Sequence, residues 1–298
     1  MARTMSALTG IGSTAARRLE QWWFTPLPLG RIAALRVVIY LFAWYDVFAY
    51  SPDVTDRVTD PAAFHRLFVE RLLPFPTPTS GLASFMQIAV PVVATITAFG
   101  RWPRLLGWLT FILYADWLVM GDSYGYVPHD RFAFLVALAV LPSVGAAKAG
   151  DLTRSERAGW ALRCIQVAVV ATYFLSAWSK VRYGGWHWAN GAVLTWALLR
   201  RPTWAGTHLL QHPTVLHLSQ WAAILAETLS PIVLFLRGRW VYVGIAVMFG
   251  FHAFNQATLK ISFLPHVLCI LSFLPIEILG VWFARGRQRR ERSASAWT

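Results

Sequence analysis

Charge is what this sequence has least of. Asp, Glu, Lys and Arg make up 14% of its 298 residues, 56% are apolar, and the mean hydropathy is +0.48. An ordinary soluble domain carries about 25% charged residues, and no stretch here is polar enough for a separate soluble domain. Acidic residues are the scarcest group, 14 against 27 Lys and Arg, for a net charge of +13. In a soluble chain that excess would point to nucleic acid. Here the arginines cluster between apolar segments, where they set orientation and face anionic lipid, so membrane lipid is the expected partner and no nucleic acid is. Cysteine is nearly absent. Cys164 and Cys269 each lie inside an apolar segment, which excludes a disulfide framework and reads as two buried thiols. The first 29 residues hold no apolar stretch of signal-peptide length, so no cleavable signal is expected. There is no His-Glu-x-x-His spacing to support a metal site, no Gly-rich phosphate loop, no nucleophile elbow and no internal repeat.

What the sequence has in quantity is long apolar runs and tryptophan, 16 residues of it, the side chain that settles at membrane–water boundaries. A membrane span needs about 20 mostly apolar residues. Eight candidates meet that pattern: Gly30 to Tyr50, Leu82 to Gly100, Pro103 to Met120, His129 to Ala147, Ala158 to Arg182, Thr214 to Leu236, Arg239 to Thr258 and Ile261 to Ala284. The expectation is an all-α, polytopic integral membrane bundle of about eight helices. Its divisions are an N-terminal segment over 1–29, a transmembrane domain over 30–284 and a basic tail over 285–298. The second and third spans, joined through Arg101-Trp-Pro-Arg104, and the seventh and eighth, separated around Lys260, read as hairpins. Gly184 to Trp204 is too short and mixed to span and reads as an interfacial or re-entrant element. Lys and Arg in the connections favour one face, which places both termini in the cytoplasm of a cell with a plasma (inner) membrane.

Ionisable side chains within spans are expensive and mark sites or pathways. Three helices present such groups near the same outer end: His129 and Asp130 opening the fourth span, Lys180 in the last turn of the fifth, and His252, Asn255 and Gln256 near the end of the seventh. Tyr173, Ser176 and Lys180 share one helical stripe, which Gln166 extends; His217, Gln220 and Glu227 share another. Each group has a plainer reading. Lys180 would snorkel to headgroups, His252 and Asn255 would hydrogen-bond helices together, and His129 would be a boundary residue. Glu227 and Asp116 read as partners of buried donors rather than as catalysts.

The string Tyr173-Phe-Leu-Ser-Ala-Trp-Ser-Lys180-Val, followed by Gly185-Trp-His-Trp188-Ala-Asn-Gly191, resembles a signature of the vitamin K-dependent γ-carboxylase superfamily, which includes the bacterial horizontally transferred transmembrane domain (HTTM) proteins. His252-Ala-Phe-Asn255-Gln leading into Ile261-Ser-Phe-Leu-Pro265, the connection ending in His129, and Arg31-Ile-Ala-Ala-Leu-Arg36 are similar to further elements of that family, in the same order. The resemblance implies a lyase-type enzyme that uses a reduced quinone (menaquinol or vitamin K hydroquinone), with O2 and CO2 as co-substrates, on a peptide or protein substrate. It makes Lys180 the base and His129 the assisting histidine, with His252, Asn255, Tyr173 and Trp186 lining the quinone or substrate pocket. The carboxylases carry a large soluble portion after their spans, whereas a short basic tail follows here, so an unidentified substrate or a partner that supplies recognition is expected. The alternative is a non-catalytic membrane accessory for maturation or export of a secreted peptide, similar to the sporulation-delaying toxin maturation proteins.

Overall fold

The structure, a computed structural model of the chain, describes residues 14–125 and 127–282. It is all-α, apart from one antiparallel bridge that pairs Leu27 with Ser155 and Pro28 with Arg154. A helical stretch over residues 14–23 precedes α1, Leu29–Tyr45, which runs on through a π-helical turn, Asp46–Tyr50. After three short helical turns, Val54–Arg57, Pro61–Ala63 and Phe68–Leu72, come α2, Ser80–Ala98, and α3, Leu105–Asp122. Next are α4, Phe132–Val144, and α5, Glu156–Gly184, the longest helix at 29 residues. At a rise of about 1.5 Å per residue α5 exceeds the thickness of a bilayer core. Two short helices, α6 (Ala192–Arg200) and α7 (Trp204–Leu209), lead into α8, Pro213–Leu229, which a 3-10 segment extends to Phe235. Then come α9, Arg239–Leu259, and α10, Leu264–Ile270, continued by a 3-10 turn to Phe273.

Among the described residues five segments are long and apolar enough to cross a membrane: Leu29–Tyr50, Ser80–Ala98, Leu105–Asp122, Glu156–Gly184 and Pro213–Phe235. The other three expected spans take different forms. The fourth shrinks to the 13 residues of α4, closed by Gly145 at φ 79°. The seventh is a helix of 21 residues, but Arg239, His252, Asn255 and Gln256 lower its apolarity. The eighth is broken, because Pro275 separates the 3-10 turn from a helical stretch at 277–282. The stretch expected to be interfacial, Gly184 to Trp204, is helical in pieces. Residues 1–13 of the N-terminal segment and the basic tail 285–298 lie outside the described residues.

The outer surface agrees with lipid contact. Ile88, Val92 and Ile96 stand four apart on α2 and are exposed, as are Leu218, Trp221, Leu225 and Leu229 on α8. Contiguous apolar faces of this kind are not left open in water. The main core is formed by α1 to α5 with α9 and α10, filled by Ile32, Ile39, Trp117, Phe134, Leu162 and Cys269 among others. A smaller cluster of Leu198, Leu216 and Leu259 fixes α6 against α8 and α9. The start of α1 and the far end of the chain meet: Arg31 grips Glu277 through Nε and Nη2 at 2.8 and 2.7 Å. At the opposite end Tyr50 donates to Ser262 O at 2.6 Å.

Candidate functional site

α5 supplies the lysine, and its geometry explains where the lysine points. Side chains on a helix lean toward its N-terminus, so Lys180, about one turn from the end of α5, leans back into the bundle. Its Nζ donates to Ser176 Oγ at 2.8 Å and to both oxygens of Glu227 on α8, each at 2.6 Å. The Lys180 side chain is 21% exposed and the Glu227 side chain 4%. The Trp188 ring lies 5.2 Å from Nζ. Lys180 therefore does not reach outward in the manner of a snorkelling lysine; it is held inward by a buried carboxylate, a hydroxyl and an indole face.

Trp188 is placed by the Gly185–Gly191 turn. Gly185 (φ 62°) ends α5, the 3-10 turn Trp186–Ala189 follows, and Gly191 (φ 91°) opens α6. Both conformations favour glycine. Gln220 on α8 donates to Trp188 O at 2.9 Å, which ties this turn to the helix that carries Glu227.

A second group sits across from the lysine. Tyr173 OH and His252 Nε2 are 2.6 Å apart, and the Tyr173 ring meets His266 edge-on at 4.8 Å. Nδ1 of His252 and both ring nitrogens of His266 are buried with no hydrogen-bond partner among the described residues. Asn255 turns its amide back to Phe251 O at 3.0 Å.

These residues surround a cavity of about 580 Å³. Lys180, Tyr173, His129, His252 and Asn255 all line it, joined by Glu227, Trp188 and His266; Val193, Leu194, Ala223 and Phe251 supply apolar wall. Trp186, expected in the pocket, is not among its lining residues. It is 64% exposed and stacks on Trp221 at 6.2 Å, and Trp188 takes the position beside the lysine. His217 accepts from Trp221 Nε1 at 3.0 Å and stays outside, while Gln220 and Glu227 of the same stripe face the cavity. Gln166 belongs to the other end of the bundle, where it bonds Ser272 O and accepts from Arg163.

A second cavity, of about 520 Å³, adjoins the first and shares Thr172, Ser176, Lys180, Trp188 and His129 with it. A third, of about 570 Å³ and more polar, opens past His129, Ile261 and Phe263 toward Arg57, Asp122 and Arg201. His129 thus borders all three.

The rim carrying His129 is braced from beneath. Arg131 donates to Asp46 Oδ1 at 2.9 Å and also to Ser51, and Tyr114 donates to Asp46 Oδ2 at 2.8 Å. Tyr50 donates to Asp130 Oδ2 at 3.0 Å. Asp46 is fully buried as the centre of this network.

The site contains no group of three or more His, Cys, Asp or Glu side chains arranged to hold a metal among the described residues. Its chemical capacity lies in the Lys180–Glu227 pair. Whether the pair is ammonium and carboxylate or amine and carboxylic acid, it retains one basic position in an apolar setting. The chain matches no protein-family model, no curated protein and no solved structure.

Proposed function

We propose that this chain is a multi-pass enzyme of the plasma (inner) membrane, with both termini cytoplasmic, and that all eight expected segments belong to its membrane domain. It binds a reduced quinone beside Lys180 and takes a proton from it in order to modify a second substrate, in the manner of the vitamin K-dependent carboxylase and HTTM proteins that its motifs resemble. The observation that carries the reading is a cavity of about 580 Å³ with an apolar wall and a lysine–carboxylate pair on one side. That volume lies within the range of about 300–1,000 Å³ usual for ligand clefts. The unpartnered nitrogens of His252 and His266 fit a ligand that carries ring oxygens.

A bound quinol supplies an acidic hydroxyl and, with O2, the oxidative driving force for a difficult deprotonation; CO2 as the added group rests on the resemblance. The chain's residues do the rest. Glu227 and Lys180 together accept the proton, and the net positive charge that the pair then carries offsets the charge left on the donor oxygen. Ser176 and Trp188 keep the ammonium from turning outward. Tyr173 holds His252 Nε2, leaving Nδ1 to meet the ligand. The membrane accessory reading calls for a lysine among headgroups and a close-packed centre, and the inward lysine beside a cavity favours the enzyme.

Equilibrium binding of tritiated menaquinone to the purified protein tests the pocket. Wild type should bind saturably, and Ala223→Trp, which fills the cavity wall, should lose binding while remaining monodisperse. Equal binding by both proteins, or by neither, overturns the assignment.

A further inference from the structure

The end of the bundle remote from Lys180 carries a separate concave site. It lies about 25 Å from the lysine along α5, taking the helical rise over 17 residues. The cavity there has a volume of about 680 Å³ and is lined by Arg18, Arg31, Arg163 and Arg237, with no Asp or Glu among the lining residues. These arginines come from four different elements: the 14–23 helix, α1, α5 and the turn between α8 and α9. Only Arg31 forms an ion pair among the described residues, with Glu277.

We propose that this cavity binds the phosphate of an anionic phospholipid headgroup. Arginines that only mark a cytoplasmic face extend into water. Arg163 is instead built into place: its guanidinium lies 4.7 Å above the Trp22 ring, Nη1 donates to Gln166 Oε1 at 2.8 Å, and Gln166 is itself fixed to Ser272 O at 2.9 Å. Nε of Arg163 is buried and has no acceptor among the described residues. Arg18, Arg163 and Arg237 bring three charges without a counter-ion among the described residues into one recess, where they repel one another, and a phosphate offers the oxygens that match guanidinium forks. The rim decides between a lipid and a free ion. Leu234, Phe235 and Leu236 border the cavity, Phe235 is 68% exposed, and the exposed Ile232 and Leu229 continue along α8. A ligand with a phosphate at one end and hydrocarbon at the other satisfies both surfaces, as basic pockets between membrane helices do. This assignment is independent of the quinone reading.

The test is thermal unfolding and native mass spectrometry of the purified full chain with three probes: phosphatidylglycerol, phosphatidylcholine and inorganic phosphate. Phosphatidylglycerol should bind and raise the unfolding temperature, and phosphatidylcholine should not. Arg237→Gln, in an exposed turn, should weaken phosphatidylglycerol binding about tenfold, the factor expected from one lost charge-assisted contact. Arg163→Gln should do the same, with Arg163→Lys recovering only part of the affinity. Equal binding of the two lipids, or an unchanged affinity in Arg237→Gln, overturns the proposal. A response to inorganic phosphate without one to phosphatidylglycerol overturns the headgroup assignment.

Discussion

Lys180 Nζ lies 2.6 Å from each carboxylate oxygen of Glu227, so a residue near the end of α5 is bound to one nearly 50 positions later on α8. The pair closes one wall of the cavity and draws the lysine away from the bundle end. The packing of two helices and one wall of the cavity therefore depend on one charge pair.

Breaking that pair from one side should be worse than removing it. Lys180→Ala leaves the buried Glu227 carboxylate without a counter-charge, and Glu227→Ala strands the lysine; each should cost about 3 kcal/mol. Lys180→Ala with Glu227→Ala should cost clearly less than the sum of the two single changes. Denaturant unfolding of the four proteins in the same detergent gives the coupling energy, and strict additivity would show that the contact is not formed.

Tyr173→Phe deletes the hydroxyl 2.6 Å from His252 Nε2 and leaves that buried ring without a partner on either nitrogen. The expected loss is about 1–2 kcal/mol of stability. Menaquinone binding should weaken alongside, because nothing then holds the imidazole. Nitrogen chemical shifts of His252 in labelled protein should report release of the Nε2 contact, and unchanged shifts would count against it.

Two arginine–aspartate pairs at the same end of the bundle should behave oppositely. Asp46 is fully buried between Arg131 and Tyr114, so Asp46→Ala should cost about 3–5 kcal/mol and disturb the His129 rim. Asp53 and Arg57 have side chains 51% and 39% exposed, and Asp53→Ala should change stability by no more than about 1 kcal/mol. Parallel unfolding curves of the two variants make the comparison.

Gly159 on α5 sits where a Cβ would fall 1.9 Å from the Thr25 carbonyl oxygen, and Gly250 on α9 has nothing within 4 Å of such an atom. Gly159→Ala should force the 14–28 segment off α5, seen as new protease cleavage there. Gly250→Ala should be neutral or stabilising, by up to about 1 kcal/mol.

The sequence displays the face of the site better than its partners. Tyr173, Ser176 and Lys180 are visible as a stripe because helical spacing is regular, and all three do line one cavity. Gln166 shares their face but stands 14 residues from Lys180, and periodicity reports direction without saying which neighbour waits at that depth. The resemblance put Trp186 in the pocket, but the chain leaves α5 at Gly185 into a 3-10 turn that brings Trp188 beside the lysine instead. Glu227 is legible as a buried partner, but not as the partner of Lys180, because the contact joins two helices that spacing within either one does not relate. His266 carries no local signal beyond its place after Pro265; its burial arises from packing against Tyr173 and His252. Helical class and the five segments long and apolar enough to span follow from hydropathy along the chain. The shortening of α4 and the break after α10 depend on Gly145 and Pro275, which a hydropathy window averages away.

The most direct measurement is quinol-dependent oxygen uptake by the protein in lipid nanodiscs, with menaquinol as donor, for wild type, Lys180→Ala and Glu227→Gln. The account predicts uptake by wild type that falls at least about a hundredfold in Lys180→Ala, the scale of a lost proton acceptor, in protein shown to be folded. Uptake that survives unchanged in Lys180→Ala, or none from folded wild type with either menaquinol or vitamin K hydroquinone, would contradict it.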